Sequence, residues 1–321
     1  MISSTKYLKR EKIMNLSFDI NGFIENISKY PKNKIEYTRD CPLASLTTFK
    51  IGGACTVAVF PENAEQLVWC AECAIDSGAK VKVIGRGSNL LCSDDGFCGI
   101  VIVTDNATSS RVEGDIIECE CGMSLTSLSN EACDNSLSGA EFMYGIPGSV
   151  GGGVFMNAGA YGGQMSDVVI RVECMNMNTK EKFVLMREEL DYAYRHSVFM
   201  AHPEYLILTV MCRFRRGERD KIYADMKDYI SRRRQKQPLE FPSAGSTFKR
   251  CEGYYTSQLI DEAGLKGLSV GGAQVSEKHA GFVINRGGAT ASDVLSLIDK
   301  VKEEIKKKYG VCIECEVEYL E

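Results

Sequence analysis

The chain has 321 residues, 44% hydrophobic and 25% charged, with a formal net charge of -5 and a pI near 5.5. This is the composition of a globular protein with room for two or three domains and a cleft between them. The acidic balance and the shortness of the one basic run, residues 232–236, argue against a nucleic-acid surface. No long apolar window supports a membrane span, and residues 1–20 lack the apolar core and cleavage site of a signal peptide, so a cytosolic protein is expected.

Fourteen cysteines in a reducing compartment read for the most part as buried thiols rather than a disulfide framework. Cys70-x-x-Cys73 and Cys312-x-x-Cys315 have zinc-like spacing but stand far apart with no nearby histidine. With three histidines in all, neither a metal site nor a histidine-based triad is expected.

In chain order, residues 47–61 read as a strand. Residues 63–77 read as a helix with Leu67, Ala71, Ala74 and Ile75 on one face, and 80–84 as a strand ending in GRGSNLL. That is a β-α-β unit closed by a glycine turn, a common place for a phosphate. A buried strand at 100–104, a hairpin over 111–121 around Glu113-Gly114-Asp115 and a helix at 124–136 follow. Residues 145–163, GIPGSVGGGVFMNAGAYGG, then hold eight glycines in nineteen positions and no charge. Each glycine costs about 0.5–1 kcal/mol against alanine in regular structure. The interleaved Ile146, Val150, Val154, Phe155, Met156 and Tyr161 do not suit a flexible linker. A ligand lying against bare backbone accounts for both features.

Strands are expected at 168–177, 182–186 and 205–215, and composition shifts at Gly217. Beyond it come a helix at 218–236 with Ile222, Met226, Tyr229 and Ile230 inward, the loop FPSAGSTFKR, a helix at 256–263 and a short strand at 281–285. Thr290 and Asp293 suit the N-terminus of a helix over 292–309 that buries Val294, Leu297, Ile298, Val301 and Ile305. The last segment, VCIECEVEYL, alternates as a strand. It puts Val311, Ile313, Cys315, Val317 and Tyr319 on one face and Glu314, Glu316 and Glu318 on a polar face that would ordinarily be solvated.

GRGSNL has Leu90 where a dinucleotide fingerprint needs its third glycine, and the nearest acid at suitable distance is Asp105 in a different strand context. Alone it is as well explained by a structural turn. Two uncharged glycine-rich segments offering N–H donors suit a pyrophosphate better than either one, which favours an extended nucleotide cofactor. The absence of G-x-x-x-x-G-K-[ST] leaves a P-loop kinase or ATPase unsupported.

GRGSNLL, GIPGSVGGGVFMNAGAYGG, YRHSVF, KQPLEFPSAGSTFKR and GGAQVSEKHAGFVIN, in this order, resemble the UDP-N-acetylenolpyruvoylglucosamine reductase (UDP-N-acetylmuramate dehydrogenase) family from Thr47 to the C-terminus. The resemblance implies an α+β fold, with a two-lobed FAD-binding domain of the vanillyl-alcohol-oxidase (PCMH) type and a C-terminal α+β substrate-binding domain. The boundaries it suggests are an N-terminal extension at 1–38, FAD-binding lobes at 39–105 and 106–216, and the substrate domain at 217–321. FAD is expected to be non-covalent, because Arg86, Ser88 and Asn89 stand where some relatives in the wider fold attach flavin through a histidine. NADPH is the implied hydride donor. The implied reaction reduces UDP-N-acetylglucosamine enolpyruvate to UDP-N-acetylmuramate in peptidoglycan precursor synthesis: NADPH reduces FAD, and the flavin passes hydride to the vinyl carbon.

By the same resemblance the cofactor lies against Gly85, Arg86, Gly87, Ser88, Asn89 and Leu90, and against Gly145, Ile146, Pro147, Gly148, Gly152, Gly153, Asn157, Ala158 and Gly159. Arg195 and Glu316 polarise the substrate carboxylate, and Ser246 protonates the neighbouring carbon. Arg233, Lys249, Tyr161 and His279 are implied substrate contacts. Taken alone each has a plainer role: Ser246 a loop hydroxyl, Arg195 a surface ion-pair partner, Arg233 a helix-end cation, His279 a packed loop residue. The short span between Arg195 and Ser246 matches the family's form without a tyrosine-bearing loop, and a monomer is expected. The competing readings are another FAD oxidoreductase of this fold acting on an alcohol or hydroxy acid, and a nucleotide-binding regulatory protein that has lost the chemistry. The substrate-domain motifs argue against the first, and intact Arg195, Ser246 and Glu316 against the second.

Overall fold

The computed structural model describes residues 18–321 except Glu252. Residues 1–17 of the expected N-terminal extension lie outside the described residues. The rest of that stretch is built into the first lobe. Asp19 caps a helix over Ile20–Ile27, which places Phe23 and Ile27 in the main core. Trp69 on the neighbouring Ala64–Asp76 helix donates its indole N–H to the carbonyl of Asn26 at 3.2 Å.

The first lobe is a four-stranded sheet in the order Glu36–Pro42, Ala54–Phe60, Phe97–Val103, Val81–Ile84. The first pair is antiparallel and the other two pairings are parallel. Asn63 caps the intervening helix by accepting from the N–H of Gln66 at 2.9 Å, as a short polar side chain does at this position. Strand Phe97–Val103 therefore lies between the two strands that the helix connects. Only Ala54–Phe60 of the expected strand over 47–61 is extended. Gly52 sits at φ +129 and Lys50 at φ +57, which breaks the ladder. Residues 47–51 instead run toward the C-terminal domain: Thr48 Oγ1 donates to the carbonyl of Ser243 at 2.7 Å, and Phe49 and Ile51 are buried with that domain's core.

The second lobe is a five-stranded antiparallel sheet in the order Lys182–Met186, Val169–Asn176, Tyr205–Arg213, Ile116–Glu120, Ser110–Glu113. The glycine-rich stretch is not bare coil. Ser149 caps a helix over Val150–Met156 that ends at Asn157 in the left-handed region. The run docks on the preceding elements through Leu125 N–H to Gly148 O (3.0 Å), Val150 N–H to Met123 O (2.7 Å) and Gly151 N–H to Cys121 O (2.8 Å).

The helix Arg219–Lys236 buries Ile222 and Met226 against Cys133 and Tyr144 of the second lobe and leads into the C-terminal domain. A shorter helix, Thr256–Glu262, precedes a three-stranded meander in the order Ser269–Val270, Ala273–Val275, Val283–Asn285. The helix Ala291–Tyr309 opens with a capping box between Thr290 and Asp293 and buries Val294, Leu297, Ile298, Val301 and Ile305. Asp94, from the first lobe, also accepts from the N–H groups of Ala291 (2.8 Å) and Ser292 (3.1 Å).

The chain end departs from the expected strand. Residues 314–316 meet the 247–249 segment through isolated bonds, Lys249 N–H to Glu314 O (2.9 Å) and Glu316 N–H to Thr247 O (2.8 Å). Only Glu318–Leu320 is extended, and it pairs in parallel with Leu90–Cys92 of the first lobe. The change of partner resets the alternation, so Tyr319 is exposed and Leu320 buried. No helix among the described residues is long and apolar enough to cross a membrane.

Candidate active site

A cavity of about 1080 Å³ opens where the two lobes and the C-terminal domain meet. One wall is the turn after Val81–Ile84, from Gly85 to Leu90, and a second is the glycine-rich run with Gly145, Ile146, Pro147, Gly148, Gly152, Gly153, Ala158 and Gly159. Arg195, Arg233, Ser246 and Glu316 complete it.

The backbone explains both glycine clusters. Gly87 holds φ +57, a conformation that side chains disfavour. The N–H groups of Arg86, Gly87, Ser88 and Asn89 find no acceptor among the described residues. A Cβ on Gly152 would meet only Ser149 Oγ, at 3.3 Å, so this position presents bare backbone to the cavity. Free N–H donors, a glycine-lined wall and this volume fit a dinucleotide with a pyrophosphate. No histidine lines the cavity. Cys121 does, but burial pushes its thiol up to about 12, which makes it a poor nucleophile near neutrality.

At another wall, Arg195 sits at φ +53 and donates through Nε to Glu316 Oε1 at 2.7 Å. Its Nη1 and Nη2 reach the carbonyls of Asn157 (3.5 Å) and Gly159 (3.3 Å), and its guanidinium lies 5.2 Å from the centre of the Tyr194 ring. The Glu316 side chain is 12% exposed, against 76% for Glu314 and 39% for Glu318. Burial pushes its carboxyl above the usual carboxylate range, with Arg195 opposing most and Lys249 and Arg250 less.

Ser246 is exposed at the cavity wall, after Gly245 at φ +76. Its neighbour Thr247 is tied to Gly281 (N–H to O, 2.8 Å), to Val283 (whose N–H reaches Oγ1 at 2.9 Å) and to Glu316. The segment behind Ser246 and the one carrying Glu316 are thus fastened to each other.

Four residues singled out from sequence do not line the cavity. Asn157 is 2% exposed and turned into the protein. Tyr161 stacks on Tyr229 with ring centres 4.5 Å apart, its hydroxyl donating to the Tyr229 carbonyl at 3.0 Å. Lys249 reaches outward to Glu314 at 3.2 Å. His279 packs edge-on against Phe282, its Nδ1 accepting from Gly281 N–H at 3.1 Å, and burial lowers its pKa. Arg233 lines the cavity with its Nε buried and without a partner among the described residues, while Nη1 donates to the carbonyl of Gly145.

Sequence reasoning did not single out Thr48, Lys50 and residues 237 and 239–242, which also line the cavity. Thr48 and Lys50 were hidden inside an apparent strand. The Gly52-Gly53 pair after them was the available sign that this strand begins later.

The C-terminal domain of UDP-N-acetylenolpyruvoylglucosamine reductase matches residues 237–320, and an FAD binding domain matches residues 55–181. The reductase of Caldicellulosiruptor bescii is 42% identical over 296 residues, covering 91% of this chain and 93% of that protein. The reductase of Clostridium perfringens is 43% identical over 287 residues, covering 89% and 93%. The crystal structure of the Thermus caldophilus enzyme superposes with a TM-score of 0.75 at 33% identity, covering 89% of this chain and 99% of that one. Cavity, fold and sequence agree, and the chain belongs to the UDP-N-acetylenolpyruvoylglucosamine reductase family.

Proposed function

We propose that this protein reduces UDP-N-acetylglucosamine enolpyruvate to UDP-N-acetylmuramate, with FAD held non-covalently in the cavity and NADPH as the electron source. The observation that carries this reading is the Arg195–Glu316 pair at 2.7 Å in the wall of the cavity that Ser246 also lines. Bound in the cavity, FAD would supply hydride transfer from NADPH to the vinyl carbon of the substrate. The 85–90 turn and the glycine-rich run would hold it through backbone N–H groups and close approach. Arg233, through its Nε, offers a charge-assisted donor to an anionic group.

Hydride addition leaves negative charge spread over the carbon next to the substrate carboxylate. Arg195 supplies fixed positive charge there. Glu316, paired with Arg195 at 2.7 Å in the same wall, polarises the substrate carboxylate together with it. Ser246 gives its hydroxyl proton to the carbon. A hydroxyl is a weak acid, but the carbanion is a strong base and the donor is positioned, which suffices.

We read the chain as the short form. Residues 196–245 are taken up by the Val198–Ala201 helix, the Tyr205–Arg213 strand, the Arg219–Lys236 helix and tight connections.

The test is NADPH oxidation by the yellow purified protein with and without the enolpyruvyl substrate. Stimulation by substrate, with lactyl ether as product, is expected. Protein that stays colourless with added FAD, or NADPH oxidation indifferent to the substrate, overturns the reading.

A further inference from the structure

Arg195 can meet a substrate carboxylate only if its long side chain is kept from swinging into solvent. The contacts that hold it converge on one buried amide. Asn157 ends the Val150–Met156 helix at φ 44 and ψ 55, in the left-handed region where asparagine is among the few side chains tolerated. Its Nδ2 donates to the carbonyl of Ala193 at 2.9 Å and to Gln164 Oε1 at 3.4 Å, while its Oδ1 accepts from the N–H of Ser166 at 3.0 Å. Ala193 stands two residues before Arg195 and exchanges both backbone bonds with His196 at 3.2 Å, so the amide grips the small loop that carries the arginine. The Asn157 carbonyl accepts from Arg195 Nη1 and that of Gly159, two residues on, from Nη2.

One side chain therefore ties together the end of the cavity-wall helix, the 164–166 turn and the Arg195 loop. Both of its side-chain polar atoms have partners within the protein, and the residue is buried and does not line the cavity.

We propose that Asn157 is a positioning residue for the reduction step, acting through Arg195 rather than by touching cofactor or substrate. The proposal rests on the reading of Arg195 as the partner of the substrate carboxylate. It predicts a split between half-reactions. Flavin reduction by NADPH does not use Arg195 and should proceed normally, whereas binding of the enolpyruvyl substrate and its reduction should both suffer.

Two variants of the holoenzyme test it. Asn157→Gly keeps the left-handed backbone and removes all three side-chain bonds. Asn157→Asp keeps the acceptor for Ser166 but sets a carboxylate oxygen against the Ala193 carbonyl. Each is compared with the parent, with Arg195→Ala and with the double variant. The measurements are stopped-flow traces of both half-reactions and titration of the oxidised flavin spectrum with substrate. For both Asn157 variants we expect an unchanged flavin spectrum and NADPH reduction within about twofold of the parent, weaker substrate binding, and reoxidation slowed by up to about 10²-fold, the scale of a misplaced catalytic group. Added to Arg195→Ala, Asn157→Gly should slow reoxidation no further, because residues that act through one another are not additive. Full additivity, equal slowing of both half-reactions, loss of flavin from both variants, or parent rates throughout each overturn the positioning role. An Arg195→Ala variant that reoxidises at the parent rate removes the reading of Arg195 as well, which tells the two failures apart.

Discussion

At the scale of single residues, the role proposed for Glu316 sets function against stability. A carboxyl whose folded pKa is raised binds its proton more tightly in the native state than in the unfolded one. The stability it contributes is fully present below the unfolded value, about 4.3. It is lost as pH rises through the folded value. Burial is the main cause, and Arg195, though paired with it, does not fully offset that burial. Glu316→Gln should therefore melt at the parent temperature in acid and at the same or a higher temperature at pH 7, while losing substrate-driven flavin reoxidation. A lower melting temperature at pH 7 would show that the ion pair is net stabilising and refute the linkage argument.

Ser246→Ala removes the proposed proton donor alone. NADPH should bleach the flavin at a near-normal rate, and anaerobic addition of the enolpyruvyl substrate should restore the yellow colour about 10²–10⁴-fold more slowly than in the parent. Reoxidation at the parent rate would point to water or another neighbour as the donor. Of these residues only the motif match singled out Glu316, because strand alternation put it on the solvated face with Glu314 and Glu318. Its burial comes from the change of strand partner between residues 316 and 318, a tertiary event that local period does not encode.

At the scale of elements, the glycine-rich run is legible as a place that tolerates no side chains, but not as a helix. Glycine carries no helix signal of its own. What makes residues 150–156 helical is the Ser149 cap, which accepts from Gly152 N–H at 3.2 Å, together with the docking of the run on Cys121, Met123 and Leu125. Gly152 separates backbone cost from ligand contact. In the protein alone, Gly152→Ala meets only the Ser149 hydroxyl, at 3.3 Å, and the small shift this asks of the helix cap is set against about 0.4–1 kcal/mol from the reduced freedom of the unfolded chain. In the cavity the same methyl overpacks a bound cofactor by about 1–3 kcal/mol, a loss of roughly 10–100-fold in affinity. The flavin-free variant should melt close to the parent temperature, and a flavin titration should show weaker binding. Unchanged FAD affinity would mean that the cofactor does not approach this stretch of backbone.

At the scale of the whole molecule, the C-terminal domain is fastened to the first lobe by the last strand of the chain. Glu318–Leu320 pairs with Leu90–Cys92, directly after the Gly85–Asn89 turn, and Glu318 N–H bonds to the Asn89 carbonyl at 2.9 Å. Asn89 Nδ2 in turn donates to the Glu316 carbonyl at 3.0 Å. The turn read as a phosphate site and the segment carrying Glu316 thus share one set of bonds. Sequence could show the elements but not this pairing, just as it showed the strands flanking the Ala64–Asp76 helix but not that Phe97–Val103 would come between them, because partners far apart in the chain leave no local period. Leu320, 6% exposed and packed with Leu43, Leu90 and Cys92, anchors the strand. Leu320→Ala should cost about 2–5 kcal/mol of stability, as large-to-small changes in a packed core do. If the strand also holds the cofactor turn in place, FAD affinity should fall with it by about tenfold or more, equivalent to ~1.4 kcal/mol. Measured below the variant's own melting temperature, so that unfolding does not contribute, a stability loss with parent-like FAD binding and parent-like rates in both half-reactions would show that the last strand secures the domain without ordering the site.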